Sequence, residues 1–168
     1  MEQFIQFFLS EYGDLLSKLL LALLLGSAVG LERTIAGKQA GMRTYALVTM
    51  GSCVFVLISE ALRPLYASYP GYNPIFMVSQ IIVGIGFIGA GLIIFQGQNV
   101  HGLTTAAGLW VSAGIGIAVG YGLAQLALLS SLFTLGIFSV MWRIERLISP
   151  ATVPFPSVHT RKRKKTTE

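Results

Sequence analysis

Apolar residues run through the chain in five long blocks, and the short segments between them hold almost all of the charge. The blocks cover residues 15–31, 45–62, 75–95, 104–119 and 123–142. Each approaches the roughly 17–25 residues that an α-helix needs to cross a hydrocarbon core. Lys18, near the start of the first block, is long enough to snorkel to the interface. The second block stops at Arg63-Pro64. This pattern predicts an all-α, polytopic membrane protein with five transmembrane helices. Gly120-Tyr121-Gly122 is so short a connection that the last two helices must form an antiparallel hairpin.

Glycine changes how those helices are expected to pack. The third block carries Gly84, Gly86, Gly89 and Gly91, and each glycine costs a helix about 1 kcal/mol relative to alanine. In a bilayer that cost is offset where glycine lets neighbouring backbones approach closely. Gly26 and Gly30 form a GxxxG face on the first helix, and Gly116 and Gly120 form another on the fourth. All eight are expected to pack helices, and the two GxxxG faces serve either the monomer or a homo-oligomer.

Composition agrees with the block pattern. The 168 residues are 54% hydrophobic and 11% charged, with a mean hydropathy of +0.71, whereas soluble domains are about 25% charged. The net charge of +5 comes from the basic run at 161–165, and the rest of the chain is close to neutral. It is therefore not a nucleic-acid-binding surface. Residues 1–149 read as one transmembrane domain and 150–168 as a basic, disordered cytoplasmic tail. Cys53 is the single cysteine, which excludes a disulfide framework and a cysteine metal site. The first block follows Glu2, Glu11 and Asp14 rather than a basic segment, so it reads as a retained span and not a signal peptide.

Charge also sets the expected orientation. Residues 33–43 hold three Lys or Arg and the chain from Arg143 onward holds seven, while the opposite side has only Lys18 and Arg63. The positive-inside rule then places the N-terminus outside and the C-terminus in the cytoplasm, as five spans require. Tyr66, Tyr69 and Tyr72 on the outer side and Trp142 on the inner side suit interfacial belts. Trp110 falls well inside a span and is expected to pack against helix backbone.

The candidate chemistry collects at the inner boundary. Glu32 sits at the end of the first helix, where the macrodipole opposes a carboxylate, so it needs a cation; Arg43 is the expected partner. The second and fourth helices open inward at Arg43-Thr44 and Thr104-Thr105, with Thr44 and Thr104 as expected caps. Their N-termini, with Arg33, Lys38, Arg43 and His101 beside them, form a candidate anion site for a lipid phosphate, a nucleotide or an acidic partner. Anionic lipids would also attract the 161–165 run.

Magnesium would require oxygen ligands, usually including carboxylates. The acids near the spans, Glu32, Glu60 and Glu145, all lie near span ends. The hydroxyls within the spans, Thr49, Ser52, Ser59, Ser79, Ser112, Ser130, Ser131, Thr134 and Ser139, are expected to bond helix to helix. Gln80 is the main candidate for a polar group with another task. No catalytic triad, paired catalytic carboxylates, phosphate loop or cofactor motif occurs. Gly84-x-Gly86-x-x-Gly89 lies inside a span rather than between strand and helix. The expectation is neither an enzyme nor a cofactor or metal protein.

The segments GSAVGLER (26–33), AGMRT (40–44), QIIVGIGFIGAGLI (80–93) and GLTTAAGLWVSAGIGIAVG (102–120), in this order and spacing, resemble the MgtC/SapB family of bacterial inner-membrane proteins. The resemblance covers roughly residues 23–120. It implies five transmembrane helices in the inner membrane and a part in magnesium limitation, acid tolerance or virulence. Many members add a soluble cytoplasmic C-terminal domain, and this sequence reads as a short form without it. The virulence-associated branch has Asn where this chain has Thr104, and Cys where it has Val111. Two expectations follow: a regulatory or partner-binding membrane module, or a component that transports magnesium or another small solute.

Overall fold

The computed structural model describes residues 2–71, 73, 75–97 and 99–148. The tail expected at 150–168, with its basic run, and Tyr72 lie outside the described residues, as does the side chain of Glu145. Five helical spans are present. Helix α1 covers Glu2–Ile35, α2 Met42–Tyr66, α3 Phe76–Leu92 and α4 Leu103–Gly120. The last span is α5, Ala124–Gly136, continued by a π-helical turn at Ile137–Met141 and by α6, Trp142–Ile148. Four of the spans are long and apolar enough to cross a membrane, and α3 is a shorter apolar helix of 17 residues.

The helices outrun the apolar blocks at several ends. α2 continues through Pro64 to Tyr66 instead of stopping at Arg63-Pro64. Pro64 removes one hydrogen bond near the end of the helix, a smaller loss than in its interior. α3 ends at Leu92, three residues before the apolar block does, because the chain turns into a small hairpin. There β1, Ile94–Gln96, pairs antiparallel with β2, Asn99–His101. The fold is therefore helical with one two-stranded addition that the apolar pattern could not show.

Two helix ends are set by glycine. After α1, Gly37 takes φ +65°, its N–H donates to the Thr34 carbonyl and that of Lys38 to the Arg33 carbonyl. After α4, Gly122 at φ +76° and Leu123 bond to the Val119 and Ala118 carbonyls in the same way. This is the Schellman ending, in which a left-handed residue reverses the chain. It makes the tight α4–α5 hairpin.

At the centre, α2 is clamped between α1 and α4. A Cβ on Gly26 would stand 2.6 Å from the Thr49 hydroxyl, and one on Gly30 2.6 Å from the Met42 Cα. From the other side, a Cβ on Gly116 would collide with the Thr49 carbonyl, and one on Gly120 would stand 2.6 Å from the Val56 Cβ. Thr49 is thus wedged between Gly26 and Gly116. The two GxxxG faces are occupied within the protomer.

The third helix differs. Gly89 makes ordinary contact with Ala106 at 3.5 Å, but Gly84, Gly86 and Gly91 meet nothing within 4 Å. The packing expected of these three does not occur inside the protomer, because α3 leans on α4 through Ile85 and Gly89 only as its buried residues. The hydroxyls also depart from expectation. Thr49, Ser131 and Thr134 donate to the carbonyls of Tyr45, Ala127 and Ser130, four residues back on their own helices. A short hydroxyl reaches that carbonyl more easily than a neighbouring helix.

Candidate functional site at one end of the bundle

The C-terminus of α1, the N-termini of α2 and α4 and the π-helical turn converge at one end of the bundle. Arg33 lies inside this junction with only 3% of its surface exposed. An arginine so enclosed needs compensation, because an unpaired buried charge is strongly unfavourable. It finds two sources. Its Nε donates to the Glu32 carboxylate, and its guanidinium carbon stands 3.7 Å from the centroid of the Phe138 ring. A cation over an aromatic face is worth about 0.5–2 kcal/mol, more when desolvated.

The pairing of Glu32 with Arg33 corrects the expectation that Arg43 would hold it. Arg43 is exposed in the first turn of α2, while Arg33 turns inward and brings its neighbour's carboxylate with it. The π-helical turn presents Phe138 to the guanidinium. Such a turn inserts an extra residue per turn and re-aims the side chains that it carries. Gly108 on α4 makes the room, since a Cβ there would stand 2.5 Å from both the Phe138 Cζ and the Tyr45 hydroxyl. Tyr45 is fully buried and donates its hydroxyl to the Thr105 carbonyl at 3.3 Å. The Thr105 side chain is buried too.

The helix caps also differ from expectation. Gly41 and Gly102 occupy the N-cap positions of α2 and α4, and neither helix receives a capping bond from its own threonine. Thr34, on α1, replaces Thr44. Its hydroxyl accepts from the Met42 N–H at 2.9 Å and donates to the Gly30 carbonyl at 3.0 Å. Gly30 leaves α1 and α2 near enough for this bond across the turn. At α4, Gly102 has φ +86° and a Cβ on it would strike the Leu92 carbonyl, so no larger residue fits between the hairpin and the helix.

Around this junction the exposed groups are Lys38, Arg43 and Thr104, with Thr44 and His101 partly exposed. They share one end of the molecule with Glu32, Arg33 and Thr105. Gln80 and Trp110 do not belong to it. Gln80 lies toward the opposite end of α3, exposed in a cleft between α2 and α3. Trp110 is 54% exposed, so it is not enclosed by helix backbone as expected; the buried positions of α4 around it belong to Gly108, Leu109, Ser112 and Ala113. Tyr45, Phe138, Thr34 and Gly108 are the residues of this junction that the sequence did not single out. Phe138 lies over a hundred positions from Arg33, and no local pattern links the two.

The sequence model of the MgtC family matches residues 19–147. The chain is 38% identical over 133 residues to "Putative magnesium transporter YhiD" of Escherichia coli K12, an alignment spanning 78% of this chain and 62% of that protein. It is 40% identical over 143 residues to Protein SrpB of Synechococcus elongatus, spanning 77% of this chain and 76% of the relative. Protein MgtC of Salmonella typhimurium LT2 is 47% identical over 91 residues, 54% of this chain and 36% of MgtC. No solved structure matches the chain.

Proposed function

The chain belongs to the MgtC family, and from that premise we propose that it is a multi-pass inner-membrane protein of magnesium homeostasis or stress adaptation. We infer that it works as a regulatory, partner-binding module and not as a conduit. One observation carries this reading. The acidic side chains described are each committed to a base close by: Asp14 to Lys18, Glu32 to Arg33 and Glu60 to Arg63. Magnesium is held through carboxylates and retained waters, and these carboxylates are already neutralised. The clamp of Gly26 and Gly116 on Thr49 points the same way, since it fills the space between α1, α2 and α4 with backbone and side chain.

What remains available is the exposed basic rim of Lys38 and Arg43 beside two helix N-termini, a setting that favours anions. In the proposed orientation this rim faces the cytoplasm, where anionic lipid headgroups or an acidic partner surface would meet it. The second reading, magnesium transport, is favoured by the name of YhiD. Reconstituted liposomes loaded with a magnesium-sensitive dye separate the two. Regulation predicts a flux equal to that of empty liposomes; saturable magnesium flux would overturn it.

A further inference from the structure

The outward face of α3 has the spacing of a helix-pairing seam. Phe76, Gln80, Val83, Phe87 and Ala90 follow one another at intervals of four, three, four and three residues, and all five are exposed. Phe87 is 83% exposed and Val83 69%. Ile85 and Gly89, the buried residues of α3, lie on the opposite side of the helix. The three open glycines fall beside the seam: Gly84 and Gly91 on one flank, Gly86 on the other. In a heptad these flanking positions set how closely two helices approach. Their helix cost brings no packing inside the protomer.

Gln80 indicates what covers this face. No hydrogen bond holds its amide among the described residues, and it stands where the seam borders an apolar cleft of about 520 Å³ between α2 and α3. An amide is both donor and acceptor, so it is complementary to a second copy of itself. Two copies inserted with the same topology are related by an axis along the membrane normal. Their α3 helices then run parallel, and equivalent residues meet at equal depth. A single polar residue in an apolar seam fixes register in this way. Helix length agrees: 17 residues span about 25 Å at 1.5 Å each, short of a core of about 30 Å, and oligomerisation is one relief of such a mismatch.

We propose that this protein forms a parallel homodimer through the α3 seam, with Gln80 bonded to the partner's Gln80 and the open glycines admitting close approach. The proposal goes beyond the functional reading and rests only on α3 spanning the membrane, so a positive flux result would leave it standing. Its test is oxidative cross-linking of the full chain in membranes, with fully buried Cys53 as the unreactive background. Gln80→Cys and Phe87→Cys should each yield a disulfide-linked dimer, and Leu132→Cys on the exposed face of α5 should not. No dimer at positions 80 and 87, an equal yield at 132, or cross-linking to a different protein would overturn it. Energy transfer between two labelled populations in liposomes adds a second measure. Gln80→Leu should weaken association about threefold to tenfold, and Gly86→Phe should weaken it further, with helical content unchanged by circular dichroism. Undiminished association in Gln80→Leu would show that the Gln80 pair does not hold the two copies together and would overturn the proposed interface.

Discussion

Arg33 decides the character of the junction because, among the described residues, it is the charge most deeply withdrawn from solvent, and its partners are unequal. Glu32 retains 22% side-chain exposure whereas Arg33 retains 4%. Removing the carboxylate leaves a guanidinium enclosed without its counter-charge. Removing the guanidinium leaves a carboxylate that still reaches water. Glu32→Gln should therefore cost more than Arg33→Met, about 2–4 kcal/mol against 1–2 kcal/mol, by thermal unfolding in detergent. The reverse order would mean that the ring stacking outweighs the ion pair. On the rim, Lys38→Gln with Arg43→Gln should halve or abolish the stabilisation that added anionic lipid confers, while zwitterionic lipid acts equally on both proteins. An unchanged response would remove the rim as the anion site. The need of Glu32 for a cation was legible in its position at a helix end. Its choice between Arg33 and Arg43 was not, because that depends on which side of α1 is enclosed.

At the scale of the element, identical residues on one helix have opposite roles. Gly114 and Gly116 are two positions apart on α4, yet a Cβ meets nothing within 4 Å at Gly114 and collides with the Thr49 carbonyl at Gly116. Gly114→Ala should stabilise the fold by up to about 1 kcal/mol through helix propensity. Gly116→Ala should destabilise it by about 1–3 kcal/mol, since overpacking forces α2 away; equal melting temperatures would contradict the clamp. The GxxxG spacing marked Gly116 as a packing glycine and left Gly114 without a role. Only the rotation of α4 about its axis separates them. The π-helical turn makes the same point, since nothing in Ile137–Met141 announces the extra residue that directs Phe138 onto Arg33.

For the whole molecule, the proposed orientation can be checked by cysteine labelling in intact cells with a membrane-impermeant reagent. Tyr69→Cys, in the connection between α2 and α3, should react from outside. Lys38→Cys should react only after the membrane is opened, and the opposite result would invert the topology. Five helical segments were legible because hydropathy is a property of each segment by itself. The β1–β2 hairpin was not, since Ile94 and Phe95 continue the third apolar block and three-residue strands carry too little pattern to be distinguished from a helix end or a loop.

The sequence by itself determined the membrane class, the positions of the spans to within a few residues except at the start of α1, the tight α4–α5 turn and the family. Each follows from local composition or from the order of motifs. The tertiary structure decided which glycines are covered, which arginine holds Glu32 and which polar groups gather. In a soluble helix the polar side marks the face turned to water. In these spans nearly every face is apolar, so the contrast that would reveal the inward side is missing, and close packing between backbones alone determines it.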